Sequence, residues 1–251
     1  MTASFTMNSH LGKRILALVR EGNYAHAGEE EAIELALADL PRDGERALLD
    51  AGCGRGGTAD YMQKNGWGRV TGVDIEPDSI REAERAYPDI RFEAGDIADL
   101  GQRYAGYFDA VTMFNVLYAI PDHARALAAL AEAARPGATL VIFDYEDPGG
   151  YADHAIMEGG AGFLANPMVA GRIADILDHT GWSVTGRCDI TDAYVGWYRR
   201  LVDRIRTRRA DIEALAQAEG YERVLGLYSQ LLGVLREGRL GGAIIRAERR
   251  A

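Results

Sequence analysis

The stretch 48-LLDAGCGRGGTADYM-62 places four glycines between residues 52 and 57, directly after an apolar run that ends in Asp50. Glycine adopts left-handed backbone conformations without steric strain, so the stretch predicts a tight turn between a strand and a short helix. Such a turn lets the backbone approach a bound ligand closely. The carboxylate restricts the choice of ligand, because Asp50 would repel a pyrophosphate and attract an ammonium or sulfonium group.

Runs of β-branched and other apolar residues recur along the chain and alternate with helical patterns, which predicts a parallel sheet covered by helices. The predicted strands are residues 46–52, 69–75, 90–96, 108–117, 138–145, 183–190 and 242–248. The predicted helices are residues 29–40, 77–87, 122–137 and 167–180. We therefore expect an α/β fold with a Rossmann-like, doubly wound sheet of about seven strands, the last of them antiparallel.

The helical segments outside this alternation predict a cap and a lid on a single domain of residues 1–251. Residues 1–45 are expected to form an N-terminal helical cap, and residues 46–145 form the core that holds the ligand. Residues 146–251 are expected to complete the sheet, with a helical lid at about 192–238. The glycine-rich residues 146–166 predict a mobile loop over the ligand edge.

Composition narrows the function classes. A formal net charge of −10 opposes sequence-independent binding to nucleic acid, which needs clustered Lys and Arg. The arginines of 199-RRLVDRIRTRR-209 have helical spacing, which indicates that they lie on a solvent-exposed helix face. The two cysteines, Cys53 and Cys188, lack metal-ligand spacing and are expected to be buried, and no metal is predicted.

Membrane and export signals are not found in the sequence. No apolar run approaches a membrane span, and residues 1–14 lack the basic-then-apolar order of a signal peptide. We expect a cytoplasmic protein, monomeric or homodimeric, with a small-molecule substrate and neither nucleic acid nor membrane as partner.

Five motifs occur in order along the core: Asp50-Ala51-Gly52-Cys53-Gly54-Arg55-Gly56, then Asp74, then Asp96-Ile97, then 108-FDAVTMFNVLYAIPD-122, then 135-RPGATLVIFD-144. Together they resemble the class I methyltransferases, which use S-adenosylmethionine and release S-adenosylhomocysteine. The resemblance implies that Asp74 binds both ribose hydroxyls, that Asp96 reads the adenine amino group, and that Asn115 lies near the methionine end. The cofactor-binding residues expected from it are Asp50, Gly52, Gly54, Gly56, Asp74, Ile75, Asp96, Ile97 and Asn115. Arg55 is expected to face outward.

A methyl sulfonium is already activated, so its transfer needs an aligned acceptor more than an elaborate catalytic apparatus. An amine or hydroxyl acceptor would still need a proton removed by His, Tyr or a carboxylate. The candidate catalytic residues are Tyr24, His26, Tyr118, Tyr145, His154 and Tyr198.

The overall plan more loosely resembles methyltransferases that act on phosphoethanolamine or glycine derivatives. The phosphobase enzymes carry a catalytic His at a position that is Ala119 here, which argues against amine methylation by the same dyad. O-methylation, C-methylation and an acceptor that arrives already deprotonated stay equally open. Three other functions also stay open. The spacing Gly52-x-Gly54-x-x-Gly57 suits a nicotinamide-dependent oxidoreductase, a non-catalytic S-adenosylmethionine-binding module would share the motifs, and a protein methyltransferase would show an open groove.

Overall fold

The computed structural model describes residues 5–251. The helices are α1 His10–Arg20, α2 Glu29–Ala36, α3 Gly57–Lys64, α4 Pro77–Ala86, α5 Leu100–Arg103, α6 His123–Ala133, α7 Ile173–His179, α8 Thr191–Thr207 and α9 Arg209–Arg236. The strands are β1 Ala47–Ala51, β2 Arg69–Asp74, β3 Arg91–Ala94, β4 Phe108–Phe114, β5 Ala134–Asp147, β6 Met157–Glu158, β7 Ala161–Gly162, β8 Met168–Val169, β9 Trp182–Asp189 and β10 Gly241–Arg249. Short 3₁₀ turns lie at Ile97–Asp99, Leu117–Ala119 and Tyr151–His154.

The main sheet has the strand order β3-β2-β1-β4-β5-β10-β9, and β8 adds a short pairing to β5. Strands β1 to β5 pair in parallel, whereas β10 runs antiparallel to both β5 and β9. The predicted α/β class, the number of main strands and the antiparallel last strand are confirmed. In a doubly wound sheet the ligand lies at the carboxyl edge of the parallel strands, beside the point where the strand order reverses.

The central strands are buried on both faces because their side chains alternate between two hydrophobic cores. Leu48 of β1 packs into one core, and Leu49 packs into the other. This explains why the strands are apolar runs without polar alternation.

Several element bounds differ from those predicted. Helix α6 ends at Ala133, before the Pro136-Gly137 stop signal, because Ala134 already pairs with Phe108 as the start of β5. The predicted helix at 167–180 begins only at Ile173, since Met168 pairs with β5. The predicted loop at 146–166 contains a 3₁₀ turn and the β6–β7 hairpin.

Helix α1 lies within the predicted N-terminal cap, although the sequence analysis gives no bounds for it, and it packs its apolar side into the core. Ser9 caps the helix, since its hydroxyl accepts a hydrogen bond from Gly12 N at 3.3 Å. Ile15, Leu16 and Val19 are buried at the helical spacing that an amphipathic helix requires.

Helices α8 and α9 form the segment between β9 and β10, and they pack on each other. Two arginines of α8 form ion pairs with glutamates of α2, Arg200 with Glu31 at 2.7 Å and Arg204 with Glu29 at 2.7 Å. Cys53 is buried as expected, but Cys188 is exposed because it lies on the edge strand β9. Among residues 5–251 no helix is long and apolar enough to cross a membrane.

Candidate active site

A glycine-rich turn joins β1 to α3 at the carboxyl edge of the sheet. Gly52, Gly54 and Gly56 have φ values of +80°, +54° and +84°, in the left-handed region that glycine adopts without strain. A Cβ atom at Gly52 would lie 2.4 Å from Val116 Cγ2, so contact also excludes a side chain there. The N–H of Gly52 donates to the carbonyl of Val73 at 2.7 Å, which holds the turn against β2.

Asp74 ends β2 beside this turn. Its Oδ2 accepts a hydrogen bond from Gly54 N at 2.8 Å, and its Oδ1 accepts one from Glu76 N at 2.9 Å. Lys13 of α1 places its Nζ 3.5 Å from Asp74 Oδ1 and 2.8 Å from Glu76 Oε2. A carboxylate offers about four lone-pair sites, so Asp74 keeps capacity to accept from ligand hydroxyls.

Two buried acceptor atoms near the turn have no hydrogen-bond donor: Asp50 Oδ2 and Asn115 Oδ1. The other Asp50 oxygen accepts from Thr112 Oγ1 at 3.2 Å, and Asn115 Nδ2 donates to Tyr194 Oη at 2.8 Å. Burial raises the pKa of Asp50 to about 7, although the Thr112 hydrogen bond opposes the rise. Asn115 also has a φ of +54°, a costly conformation that clusters at functional sites. A cationic ligand would supply the missing donor.

A cavity of about 650 Å³ opens at this edge of the sheet. Its strand-end surface consists of Gly52, Asp74, Ile75, Asp96, Ile97 and Asn115. Facing residues from other elements form a tyrosine wall, which consists of Tyr118, Tyr145, Tyr198 and Tyr228. Ile75 is 72% exposed, an unusual state for an isoleucine that follows a buried strand, and it offers the cavity an apolar surface.

Hydrogen bonds and ring contacts join the members of the tyrosine wall. The hydroxyls of Tyr145 and Tyr198 share a short hydrogen bond, and the rings of Tyr198 and Tyr228 stack with centroids 6.3 Å apart. The Tyr118 hydroxyl donates to Asn8 Oδ1 at 3.0 Å. Burial raises the pKa of all four hydroxyls, so they are protonated at neutral pH.

The structure does not bring the two candidate histidines to the cavity. His26 is buried, with Nε2 3.0 Å from Thr58 Oγ1, and burial lowers its pKa to about 3. His154 is exposed and is not among the cavity-lining residues. Neither candidate histidine therefore lies where it could remove a proton from a ligand in the cavity. Tyr24 does line the cavity, and its hydroxyl donates to Glu30 Oε1 at 3.1 Å.

The expectation that Arg55 faces outward is wrong. Its side chain is only 15% exposed and lines the cavity, where Nε donates to Asn23 Oδ1 at 3.0 Å. The reason is that the chain around Asn23 packs over the turn: a Cβ atom at Gly57 would lie 2.7 Å from the Asn23 carbonyl carbon.

Sequence reasoning misses several residues that line the cavity, among them Lys13, Arg20 and Tyr228. A signal for Arg20 is present in the sequence. Leu16 and Arg20 are four residues apart on α1 and so share one helix face, and Leu16 is buried on that face. Within the part of the chain that the structure describes, no cluster of three His, Cys, Asp or Glu side chains is arranged to hold a metal ion.

Residues 24–186 match the family model described as a methyltransferase domain, and this range contains the turn, Asp74 and Asn115. The match spans more than half of the 251 residues. The chain belongs to the methyltransferase domain family. The predicted resemblance to class I methyltransferases is confirmed.

Two curated proteins that are similar in sequence to this chain are named as methyltransferases. The chain is 35% identical over 97 residues to a ubiquinone biosynthesis O-methyltransferase of Paracidovorax citrulli. The aligned residues make up 37% of this chain and 40% of the relative. It is 29% identical over 150 residues to a trans-aconitate 2-methyltransferase of an Azoarcus species. Here the aligned residues make up 58% of this chain and 57% of the relative. The chain thus spans about half the length of the curated relatives it matches.

The fold of the chain is similar to that of a Haemonchus contortus phosphoethanolamine N-methyltransferase in complex with phosphomonomethylethanolamine and S-adenosylhomocysteine. The TM-score is 0.84, with 98% of this chain and 59% of that chain covered and 17% sequence identity. At this identity the likeness shows a shared fold, and it extends over α1, α8 and α9 as well as the sheet.

Proposed function

We propose that this chain is an S-adenosylmethionine-dependent methyltransferase that methylates a small molecule held in the cavity. The observation that carries the proposal is the pair of buried acceptor atoms without a donor, Asp50 Oδ2 and Asn115 Oδ1. They suit the ammonium group at the methionine end of the cofactor, since buried acceptors without a donor are costly. A nicotinamide dinucleotide fits less well, because Asp50 would repel its pyrophosphate.

The rest of the strand-end surface suits the adenosine part. Asp74 would accept from the ribose hydroxyls, and the apolar surfaces of Ile75 and Ile97 would pack against the adenine ring. Asp96 holds its Oδ1 at 2.8 Å from Ala98 N, and its carboxylate would accept from the adenine amino group. Of the nine residues that the sequence motifs imply, seven line the cavity, and Asp50 and Gly56 do not.

S-adenosylmethionine, when bound, supplies a methyl group that is already activated by the positive sulfur. The chain therefore has to hold the acceptor in line with that methyl group and keep water out. The tyrosine wall suits both tasks, because its rings are apolar and its hydroxyls donate hydrogen bonds.

The tyrosine wall is poorly suited to remove a proton. Burial raises the pKa of Tyr145 and Tyr198, so their hydroxyls are protonated donors at neutral pH. Burial also raises the pKa of nearby Asp144 to about 6, but both of its oxygens already accept hydrogen bonds from backbone N–H groups. The proposal therefore favours an acceptor that arrives with a free lone pair, such as a carboxylate, a phenolate or a neutral amine.

The printed names of the relatives support small acceptors. One relative is named an O-methyltransferase of ubiquinone biosynthesis, and another is named for trans-aconitate. The net charge of −10 supports a small-molecule partner over nucleic acid. Cytoplasmic location, the lack of a membrane partner and a monomeric or homodimeric state stay predictions.

The test is methyl transfer from isotopically labelled S-adenosylmethionine to a mixed panel of carboxylic acids, phenols and amines, read by mass spectrometry. The proposal expects a labelled product from at least one panel member. Thermal stabilisation by S-adenosylhomocysteine, compared with stabilisation by NAD, is measured in parallel. Stabilisation by NAD alone would favour the oxidoreductase, and cofactor binding without any labelled product would favour a binding module.

A further inference from the structure

Arg20 is the last residue of α1, and its guanidinium lies buried in the cavity wall. Its side chain is 2% exposed and lines the cavity. Nη1 donates to the Tyr24 carbonyl at a long 3.4 Å, and Nε has no hydrogen-bond partner. A guanidinium carries five N–H donors, and leaving buried charged donors without acceptors is costly.

The charge of Arg20 is also incompletely balanced. The nearest carboxylate oxygen, Glu29 Oε1, lies 4.0 Å from Arg20 Nε. The same oxygen accepts a hydrogen bond from Arg204 Nη2 at 2.7 Å, and Arg204 Nε has no partner either. Two guanidinium groups thus share one carboxylate, which leaves a positive charge on these three side chains.

That charge acts on the tyrosine wall. Burial raises the pKa of Tyr118, Tyr198 and Tyr228, and in each case the positive charge of Arg20 opposes the rise. The charge of Asp144 acts in the opposite sense on Tyr118 and Tyr198. An anion in this part of the cavity would therefore be stabilised beside the guanidinium of Arg20.

The other cations that line the cavity have closer partners. Lys13 Nζ lies 2.8 Å from Glu76 Oε2 and also donates to Ser79 Oγ at 3.0 Å. Arg55 Nε donates to Asn23 Oδ1 at 3.0 Å and Nη2 lies 3.5 Å from Glu82 Oε2, although Nη1 has no hydrogen-bond partner. Arg125 Nη2 lies 3.6 Å from Asp99 Oδ1, and its side chain is 64% exposed. Arg20 combines the deepest burial with the weakest pairing among these four cations.

We infer that Arg20 binds a carboxylate group of the methyl acceptor. This inference rests on the proposed function and names the acceptor class. One guanidinium matches the single charge and the planar shape of a carboxylate, to which it donates two parallel hydrogen bonds. A phosphate carries about −1.5 to −2 charges at pH 7 and would exceed the free charge at this position.

The test measures binding of paired probes to the protein saturated with S-adenosylhomocysteine. The probes are benzoate, phenylacetate, cinnamate and octanoate, each with its uncharged primary amide. At least one carboxylate is expected to bind about tenfold or more tightly than its amide. Arg20→Gln is expected to reduce that preference to less than about twofold, and Arg20→Lys to retain part of it, since it keeps the charge and loses the planar fork.

Arg200→Gln is the matched control. Arg200 also pairs with a glutamate of α2, Glu31 at 2.7 Å, but its side chain is 53% exposed and does not line the cavity. This variant should keep the full preference for carboxylates. If no carboxylate is preferred by the unmodified protein, or if the preference survives in Arg20→Gln, the inference is wrong.

A second binding series separates acceptor from cofactor. Affinities for S-adenosylhomocysteine and for 5′-methylthioadenosine, which lacks the amino-acid part, are measured for each variant. Unchanged affinities for both in Arg20→Gln are expected and also show that the variant is folded. If only S-adenosylhomocysteine binds more weakly, Arg20 holds the cofactor's carboxylate and the inference fails, although the proposed function stands. If neither compound binds the unmodified protein, the proposed function itself fails.

Discussion

The strand-end surface and the tyrosine wall line the same cavity but are built differently. The strand-end surface uses a backbone turn and carboxylates from residues 52–115, where Asn115 Oδ1 lacks a donor, as does Oδ2 of Asp50, which is buried beside the turn and does not line the cavity. The tyrosine wall gathers side chains from the turn after β4, from β5, α8 and α9, and its hydroxyls are protonated donors. The first surface therefore suits a cationic ligand with many donors, and the second, beside Arg20, suits an anionic one. Affinity for S-adenosylhomocysteine should respond to changes in the first surface and not to changes in the second.

Gly52→Ala is expected to cause the largest loss of stability and of S-adenosylhomocysteine binding. Its Cβ would lie 2.4 Å from Val116 Cγ2, and its φ of +80° adds a second cost. The left-handed conformation costs roughly 1–2 kcal/mol and the contact about 1–3 kcal/mol more. Denaturant unfolding should show the lower stability, and calorimetry should show no measurable S-adenosylhomocysteine binding.

Gly66→Ala is the control for that variant. Gly66 has the same φ of +80°, but nothing lies within 4 Å of its added Cβ. Gly66→Ala should lose only the roughly 1–2 kcal/mol of stability that the left-handed conformation costs, and it should bind S-adenosylhomocysteine as tightly as the unmodified protein. Equal losses in the two variants would show that the Val116 contact does not define the turn.

Asp74→Ala should weaken S-adenosylhomocysteine binding at least about tenfold, the ~1.4 kcal/mol of a charge-assisted hydrogen bond. Calorimetric titration measures the change. Asp78→Ala serves as the control, because Asp78 is an exposed carboxylate on α4 that pairs with Arg81. An unchanged affinity in Asp74→Ala would overturn the cofactor assignment.

Asp50 predicts a pH dependence of cofactor binding. Its pKa of about 7 means that the carboxyl is partly protonated near neutral pH. A bound ammonium favours the charged form and lowers this pKa, so binding releases a proton. The affinity should rise about tenfold between pH 6 and pH 8, as the ionised fraction grows.

Titrations in two buffers with different ionisation enthalpies measure the released proton. Asp50→Asn should bind S-adenosylhomocysteine more weakly and lose the pH dependence. A dependence that persists in this variant would assign the titration to another group.

Tyr145→Phe and Tyr198→Phe are expected to change the affinity for S-adenosylhomocysteine least. Each removes one hydroxyl of the bonded pair in the tyrosine wall and leaves the strand-end surface intact. Affinity for S-adenosylhomocysteine should change less than about twofold, as measured by the same calorimetry. A loss comparable to that in Asp74→Ala would show that the two surfaces act on the same ligand.

The two surfaces also differ in how far the sequence predicts them. The strand-end surface is predictable because Gly52, Asp74 and Asn115 lie at or just after the ends of apolar strands, and the parallel sheet brings those ends to one edge. The tyrosine wall depends on tertiary packing. The sequence analysis names Tyr118, Tyr145 and Tyr198 as candidates, and all three line the cavity. The positions of Tyr198 and Tyr228 nevertheless depend on how α8 and α9 dock, which no local pattern specifies.

The candidate bases show the limit of choosing residues by chemistry alone. His26 has suitable chemistry, but it packs beneath the site against Thr58. Arg20 lies in the amphipathic helix α1, for which the sequence analysis gives no bounds, although its spacing from Leu16 places it on the buried face. A polar residue on an apolar helix face is the signal that would have identified it.

A crystal structure of the protein with S-adenosylhomocysteine would show whether the two surfaces bind different ligands. We expect ribose hydroxyls on Asp74, the adenine ring against Ile75 and Ile97, and the ammonium group directed toward Asp50 and Asn115. Arg20 and the tyrosine wall should then face the remaining part of the cavity without touching the cofactor. A cofactor carboxylate bound by Arg20, or a cofactor bound away from Asp74, would contradict the division of the cavity into two surfaces.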